Sequence, residues 1–179
     1  FGDLFYKGPD EEILRAPEID NRYESSVKGI HIIGDLTGIP LLKNAVNMGQ
    51  DLVEKIGPAL RESELEDAEF HLLIVGGGGA GLAAALAAHE MGLRTLLVEQ
   101  RHPGNTINSF FKGKEIFAEP VALPNRSRLW VEHSYKEELR ERWNATIEEQ
   151  NLNLVECEKV TSIRRHGASF VVETTKGGY

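Results

Sequence analysis

The residues of this chain best placed to do chemistry are Gly76, Gly78 and Gly81, with Gly77, Gly79 and Ala80 between them. A G-x-G-x-x-G spacing suits a dinucleotide. One glycine permits a tight turn, one lets backbone N–H groups approach a pyrophosphate, and one lets a helix pack closely on a strand. An acid follows at Glu99, with 17 residues between it and Gly81. A carboxylate there can accept hydrogen bonds from both hydroxyls of a ribose, and it would repel a 2′-phosphate. A second acid, Asp35, follows Gly34 after the apolar run Ile30–Ile33. At the end of a strand it could accept hydrogen bonds from a polyol chain. The lesser alternative is that it caps the helix that follows, since Asp before Thr-Gly is ordinary turn chemistry.

Each group needs an element to hold it. Leu72–Val75 is a short apolar run suited to a buried parallel strand. Leu82–Gly92 is an alanine-rich helix whose N-terminus offers unpaired N–H groups and partial positive charge to phosphates. Thr95–Val98 is a second strand and Glu99 ends it. Leu72–Ala88 has no charge over 17 residues, near the lower limit for a membrane span, but four consecutive glycines split it. Strand, turn and helix fit better. Upstream, Ile30, Ile32 and Ile33 read as a short strand of parallel type with Asp35 at its carboxyl end. Leu41–Ile56 has a single apolar stripe that needs a sheet to cover it, and Gly57-Pro58 should stop the helix.

Downstream, Ser134–Glu137 reads as a capping box opening a helix with Tyr135, Leu139, Trp143 and Ile147 on one stripe, ending near Gln150. Leu152–Val155 is a third strand. Val160–Ile163 and Phe170–Thr174 flank the turn Arg165–Gly167 and predict a hairpin, with Thr175–Tyr179 beginning a further strand. The right-handed crossover rule predicts that 72–75, 95–98 and 152–155 lie parallel in one sheet. Gly8-Pro9-Asp10 signals a turn, and Arg61–Glu69, with five acids in nine residues, a solvated linker or short surface helix.

With 179 residues the chain can bury a sizeable core, and its net charge of −8 argues against general binding of nucleic acid or anionic membranes. The lone cysteine, Cys157, excludes an internal disulfide, a C-x-x-C pair and a zinc cage, and reads as a small core residue near the end of a buried strand. The six histidines lack metal-like spacing. A reducing, cytoplasmic setting is the expectation, with no secretory signal. Phe1 in place of Met suggests a piece of a longer protein.

The stretch IVGGGGAGLAAALAAHEMGLRTLLVEQ resembles the FAD-binding start of the pyridine nucleotide-disulfide oxidoreductase superfamily. VKGIHIIGDLTGIPLLKNAVNMGQDLVEKI resembles the segment that closes the FAD domain in its thioredoxin-reductase-like branch, and Asn105–Tyr179 resembles the bacillithiol-disulfide-reductase type. The resemblance implies an α/β fold: a Rossmann-like FAD/NAD(P)-binding domain with a parallel sheet, helices and a small β-meander. It implies FAD as cofactor and NAD(P)H as electron donor in the full-length protein. The implied cofactor contacts are Gly34, Asp35, Gly76, Gly78, Gly79, Ala80, Gly81, Glu99, Gln100 and Val160. Asp35 would hold the ribityl chain. The expected partners are flavin and nicotinamide nucleotides, with no nucleic acid and no membrane, and a homodimer is an option.

The chain departs from that pattern in three ways. The Gly34-Asp35 segment precedes the glycine motif, whereas in the family it follows. The strand ending in Ala-Thr-Gly, which normally lies between the two, is absent, as is a second nucleotide domain. Ala80 stands where some relatives carry a cysteine, which puts thiol–disulfide chemistry in doubt. The expected division is a Gly-Asp segment with its helix over 1–60, an acidic linker over 61–70, and a dinucleotide-binding portion over 71–179, cut before its last strand. Three functions follow as alternatives: the FAD-binding portion of a flavin-dependent oxidoreductase, a nicotinamide-binding module without flavin, or a non-catalytic fragment used for assembly. Asp35 either completes the site of Gly76–Gly81 or serves a different module.

Overall fold

The computed structural model describes residues 16–63 and 68–179. The turn Gly8–Asp10 and the middle of the acidic stretch lie outside the described residues. A 3₁₀ turn at Gly34–Thr37 leads into helix α1 (Leu42–Glu62). Then come β1 (Leu72–Val75), α2 (Gly79–Glu90) and β2 (Thr95–Val98). A short α3 (Asn105–Asn108) and the paired β3 (Glu115–Ile116) and β4 (Ser134–Tyr135) precede α4 (Lys136–Glu149). The chain ends with β5 (Leu154–Val155), β6 (Val160–His166) and β7 (Ser169–Thr174).

The parallel sheet forms as the apolar runs predict, in the order β1-β2-β5. Ile74 pairs with Leu97 and Val75 with Val98, while Val98 also pairs with Val155. All three strands therefore end at one level, where ligands bind in open α/β sheets. The third strand is shorter than expected, two residues rather than four. β6 and β7 form the expected antiparallel hairpin. Tyr179 and Val172 exchange backbone hydrogen bonds of 2.9 Å, which adds the last residues to it as a meander.

Helix α2 is buried along Ala80–Ala88 because it lies between the sheet and α1. Its alanines leave room for both neighbours, and a helix apolar all round belongs in such a place. The stripe of α1 (Ala45, Val46, Leu52, Val53, Ile56) is thus covered by a helix, not by the sheet the sequence suggested. At the crossing a Cβ on Gly49 would stand 2.9 Å from the Ala84 nitrogen and closer still to the Ala80 carbonyl oxygen. Only glycine lets two backbones come that near.

Several expectations fail locally. α1 does not stop at Gly57-Pro58. Pro58 forfeits one helical hydrogen bond, but packing wins: Gly57 lies against Met91, whose Sδ would be 2.5 Å from a Cβ there, and Leu60 reaches the core. The run Ile30–Ile33 is not a parallel strand. Its one bridge is antiparallel, from Glu24 to His31, because β1 is a sheet edge with no described strand beside it for the run to join. The capping box is not formed either. Tyr135 is the N-cap residue and makes no side-chain cap bond. Ser134 belongs to β4 and bonds the Glu132 carbonyl, while Glu137 accepts from the Gly113 N–H at 3.1 Å. Cys157 is exposed, since the chain turns there with φ 55° just beyond β5. No helix of the described residues is long and apolar enough to cross a membrane.

Candidate functional site

The chain leaves β1 at Val75 and turns at once. Gly76 adopts φ 101°, a conformation that costs other residues dearly and glycine little. Its N–H donates to the Val98 carbonyl at 2.9 Å, which keeps the turn on the end of the sheet. Gly78 is the N-cap residue of α2, and Leu82 N–H donates to its carbonyl at 2.9 Å. The first N–H groups of α2 have no partner within the helix. Gly81 fills the third role the spacing suggested: a Cβ there would drive onto the Gly76 carbonyl and lie 3.3 Å from Ile74 Cγ2. At Gly76 and Gly78 a Cβ would meet nothing within 4 Å. The outer face of the loop is therefore open at these two positions.

Glu99 is buried at 7% exposure. Its Oε2 accepts from the Gly77 N–H at 2.6 Å and its Oε1 from the Arg101 N–H at 2.7 Å. The acid thus braces the glycine loop to the segment after β2. A carboxylate offers about four acceptor sites, and these two bonds occupy half of them. The third strand joins the same end through Glu158, whose N–H donates to the Glu99 carbonyl at 3.0 Å. Val160 follows two residues later as the first residue of β6. Gln100 is exposed at the rim. Behind the loop, Trp143 of α4 lies 3.3 Å from the Cβ position of Gly79 and donates its indole N–H to the Trp130 carbonyl.

The Gly-Asp segment arrives from the other side. Gly34, with φ 79°, is buried, and a Cβ on it would stand 3.1 Å from Ala80 Cβ. Asp35 is one peptide step further on, ~3.8 Å between Cα atoms, which leaves it close to the glycine loop. Asp35 is exposed and does not cap α1, whose N-cap is Leu41 without a side-chain cap bond. The fold thus gathers Gly34, Asp35, Gly76–Gly81 and Glu99 at one end, with Gln100 and Val160 at its margin. Sequence reasoning gave Gly77 no role, yet a Cβ there would lie 3.3 Å from both Glu99 Oε2 and Pro103 Cα, a tight fit, and it missed the brace that Glu99 supplies. A fourth consecutive glycine was the available signal.

A model of the pyridine nucleotide-disulphide oxidoreductase family matches residues 73–179, more than half of the chain. The chain belongs to this family. Members of the family bind flavin and nicotinamide nucleotides. A curated relative, an alkyl hydroperoxide reductase component from Pseudomonas aeruginosa, is 31% identical over 125 residues, which are 67% of this chain and 23% of that protein. Among solved structures, the bacillithiol disulfide reductase of Staphylococcus aureus superposes with a TM-score of 0.52 at 21% identity, over 60% of this chain and 34% of that one. The second likeness speaks for the fold alone. The chain spans about a quarter of the curated relative and a third of the solved structure.

Proposed function

We propose that the chain is the FAD-binding portion of a flavin-dependent oxidoreductase that takes hydride from NAD(P)H bound elsewhere in a longer protein. The observation that carries this reading is the contact of Gly34 with Ala80, which brings Asp35 to the glycine loop. A nicotinamide module has no use for that acid; a flavin has a polyol chain for it to hold. The open outer face of Gly76 and Gly78 suits the pyrophosphate, with the first N–H groups of α2 as donors. Glu99 would accept from the adenosine ribose, with Gln100 and Val160 beside the adenosine. FAD, when bound, supplies the electron transfer, and the protein positions it and tunes its potential.

In this role Glu99 does two things at once. It fixes the loop through Gly77 and leaves acceptor sites toward the ribose. Asp35, exposed and ahead of α1, orients a hydroxylated chain by accepting from it. A homodimer and a cytoplasmic setting belong to the same reading; sedimentation and localisation of the full-length protein test them. The decisive experiment is the absorption spectrum and FAD titration of the purified protein beside its Asp35→Ala variant. A flavin spectrum in the wild type, with affinity weakened about tenfold or more in the variant, as expected for a lost charge-assisted bond, supports the reading. A protein that binds NAD but no flavin refutes it.

A further inference from the structure

Two polar side chains on α1, off its apolar stripe, are buried. Lys43 is 7% exposed and Asn47 8%. They lie one turn apart, and both reach the loop between β3 and β4, some 77 residues along the chain. Lys43 Nζ donates to the Pro120 carbonyl at 2.9 Å. Asn47 Nδ2 donates to the Pro124 carbonyl at 2.9 Å, and its Oδ1 accepts from the Arg126 N–H at 2.8 Å. One turn further, the Arg126 guanidinium pairs with Asp51 and Glu54. Four positions of α1 thus hold one loop at both ends.

Packing does not account for this grip. A buried ammonium is costly to desolvate, and Lys43 meets a neutral carbonyl with no carboxylate partner among the described residues. An apolar side chain of similar length would fill the space at lower cost. What Lys43 adds is position. It is the second residue of α1, and its neighbour Leu42 touches the Cβ position of Gly79 in the glycine loop at 3.0 Å. The grip therefore brings Pro120 and Val121 to the loop end of the molecule. Val121, the residue after the gripped Pro120, is 82% exposed.

We propose that Lys43 and Asn47 are positioning residues which hold the loop Pro120–Ser127 as a wall of the cofactor site, setting how tightly flavin is held and how far solvent reaches it. The proposal rests on the flavin reading above. The test uses the full-length protein with Lys43→Met, Lys43→Arg and Asn47→Ala. The readouts are FAD affinity, iodide quenching of the bound flavin's fluorescence and hydrogen exchange at Val121–Leu123. Lys43→Met should weaken FAD binding about tenfold, in line with one lost hydrogen bond to a charged group. It should also raise quenching and speed exchange in the loop, and Lys43→Arg should restore all three. Asn47→Ala should move the same readouts in the same direction. Wild-type quenching and affinity in Lys43→Met overturn the proposal. Should Lys43→Met not fold, Arg126→Met loosens the same loop from an exposed position, and unchanged quenching there overturns it equally. A wild-type protein that binds no FAD removes the flavin reading and the proposal together, and this is seen before any variant is made. Flavin bound in the wild type and lost in Asp35→Ala, with Lys43→Met unaffected, removes the proposal alone.

Discussion

Replacing Gly49 by alanine separates two accounts of the Gly-Asp segment by the sign of one measurement. On a free helix face, glycine to alanine stabilises by about 1 kcal/mol, because alanine loses less backbone freedom in a helix. At the observed crossing the new Cβ would lie 2.9 Å from the Ala84 nitrogen and 3.1 Å from the Ala80 carbonyl carbon, with the Ala80 oxygen nearer still. Comfortable contact begins at ~3.5 Å, so α1 and α2 must part by several tenths of an ångström at least. The atoms met are backbone and cannot swing aside, and α2 is pinned against the sheet. Overpacking of this kind costs about 3 kcal/mol at the upper end of its usual range, which leaves a net loss of ~2 kcal/mol after the propensity gain. For a chain of this size that lowers Tm by about 4–8 °C. Circular dichroism during thermal and urea unfolding reads it directly. Gly57→Ala is the internal control: its Cβ meets Met91 Sδ, the end of a flexible side chain, so the loss should be smaller. A Gly49→Ala protein that melts higher than wild type would show that α1 packs elsewhere, and the shared site would fall with it.

Two further outcomes follow from the hydrogen bonds. Glu99→Gln turns one acceptor of a backbone N–H into a donor facing it, at Gly77 or at Arg101. The expected loss is about 1–3 kcal/mol of stability together with weaker FAD binding, and an unchanged Tm without cofactor would contradict the brace. Tyr23 is pushed up to about 12 from its ordinary 10.0, first by burial and then by the hydrogen bond its hydroxyl donates to Asp51 at 2.8 Å. The folded state therefore keeps the phenol proton to higher pH than the unfolded chain does. Its contribution is complete below pH 10 and is lost as pH rises toward 12. Tyr23→Phe should flatten the alkaline fall of stability between those values, measured by urea unfolding across the range; an equally steep fall in the variant would contradict the pairing.

What could be read in the sequence was whatever rests on local pattern. β1, α2 and β2 follow from an apolar run, a glycine turn and a second apolar run, each too short or too broken to be anything else. The hairpin of β6 and β7 follows from two β-rich runs and a turn. What failed depended on partners. Ile30–Ile33 has the composition of a strand, but strands need a ladder, and the edge of β1 beside which it would lie has no described neighbour. Gly57-Pro58 has the composition of a stop, yet contact with Met91 carries the helix through it. Glu99 was legible as an acid at the end of a strand, but its bond to Gly77 was not, since the pairing depends on how the two strand ends meet. The roles of Lys43 and Asn47 had no signal in the sequence, because their acceptors lie in a loop without periodicity some 77 residues away.

The reversed order of the two segments is less of an obstacle than it looks, because α1 and α2 run in the same direction. Leu42 at the start of α1 lies against Gly79 at the start of α2, and Gly57 near its end lies against Met91 just past the end of α2. Helix α2 starts at the carboxyl end of the sheet and finishes at the other end, where Arg94 leads into β2 and His71 into β1, joined by the hydrogen bond from His71 N–H to the Arg94 carbonyl at 2.8 Å. Helix α1 therefore delivers the chain to the side of the sheet where β1 begins, and only the stretch from Ser63 to Phe70 must span the gap. A segment that starts at the cofactor end, descends beside α2 and passes into β1 needs no long crossover. Asp35 can stand beside the glycine loop in this order because the helix after it descends α2 from the cofactor end.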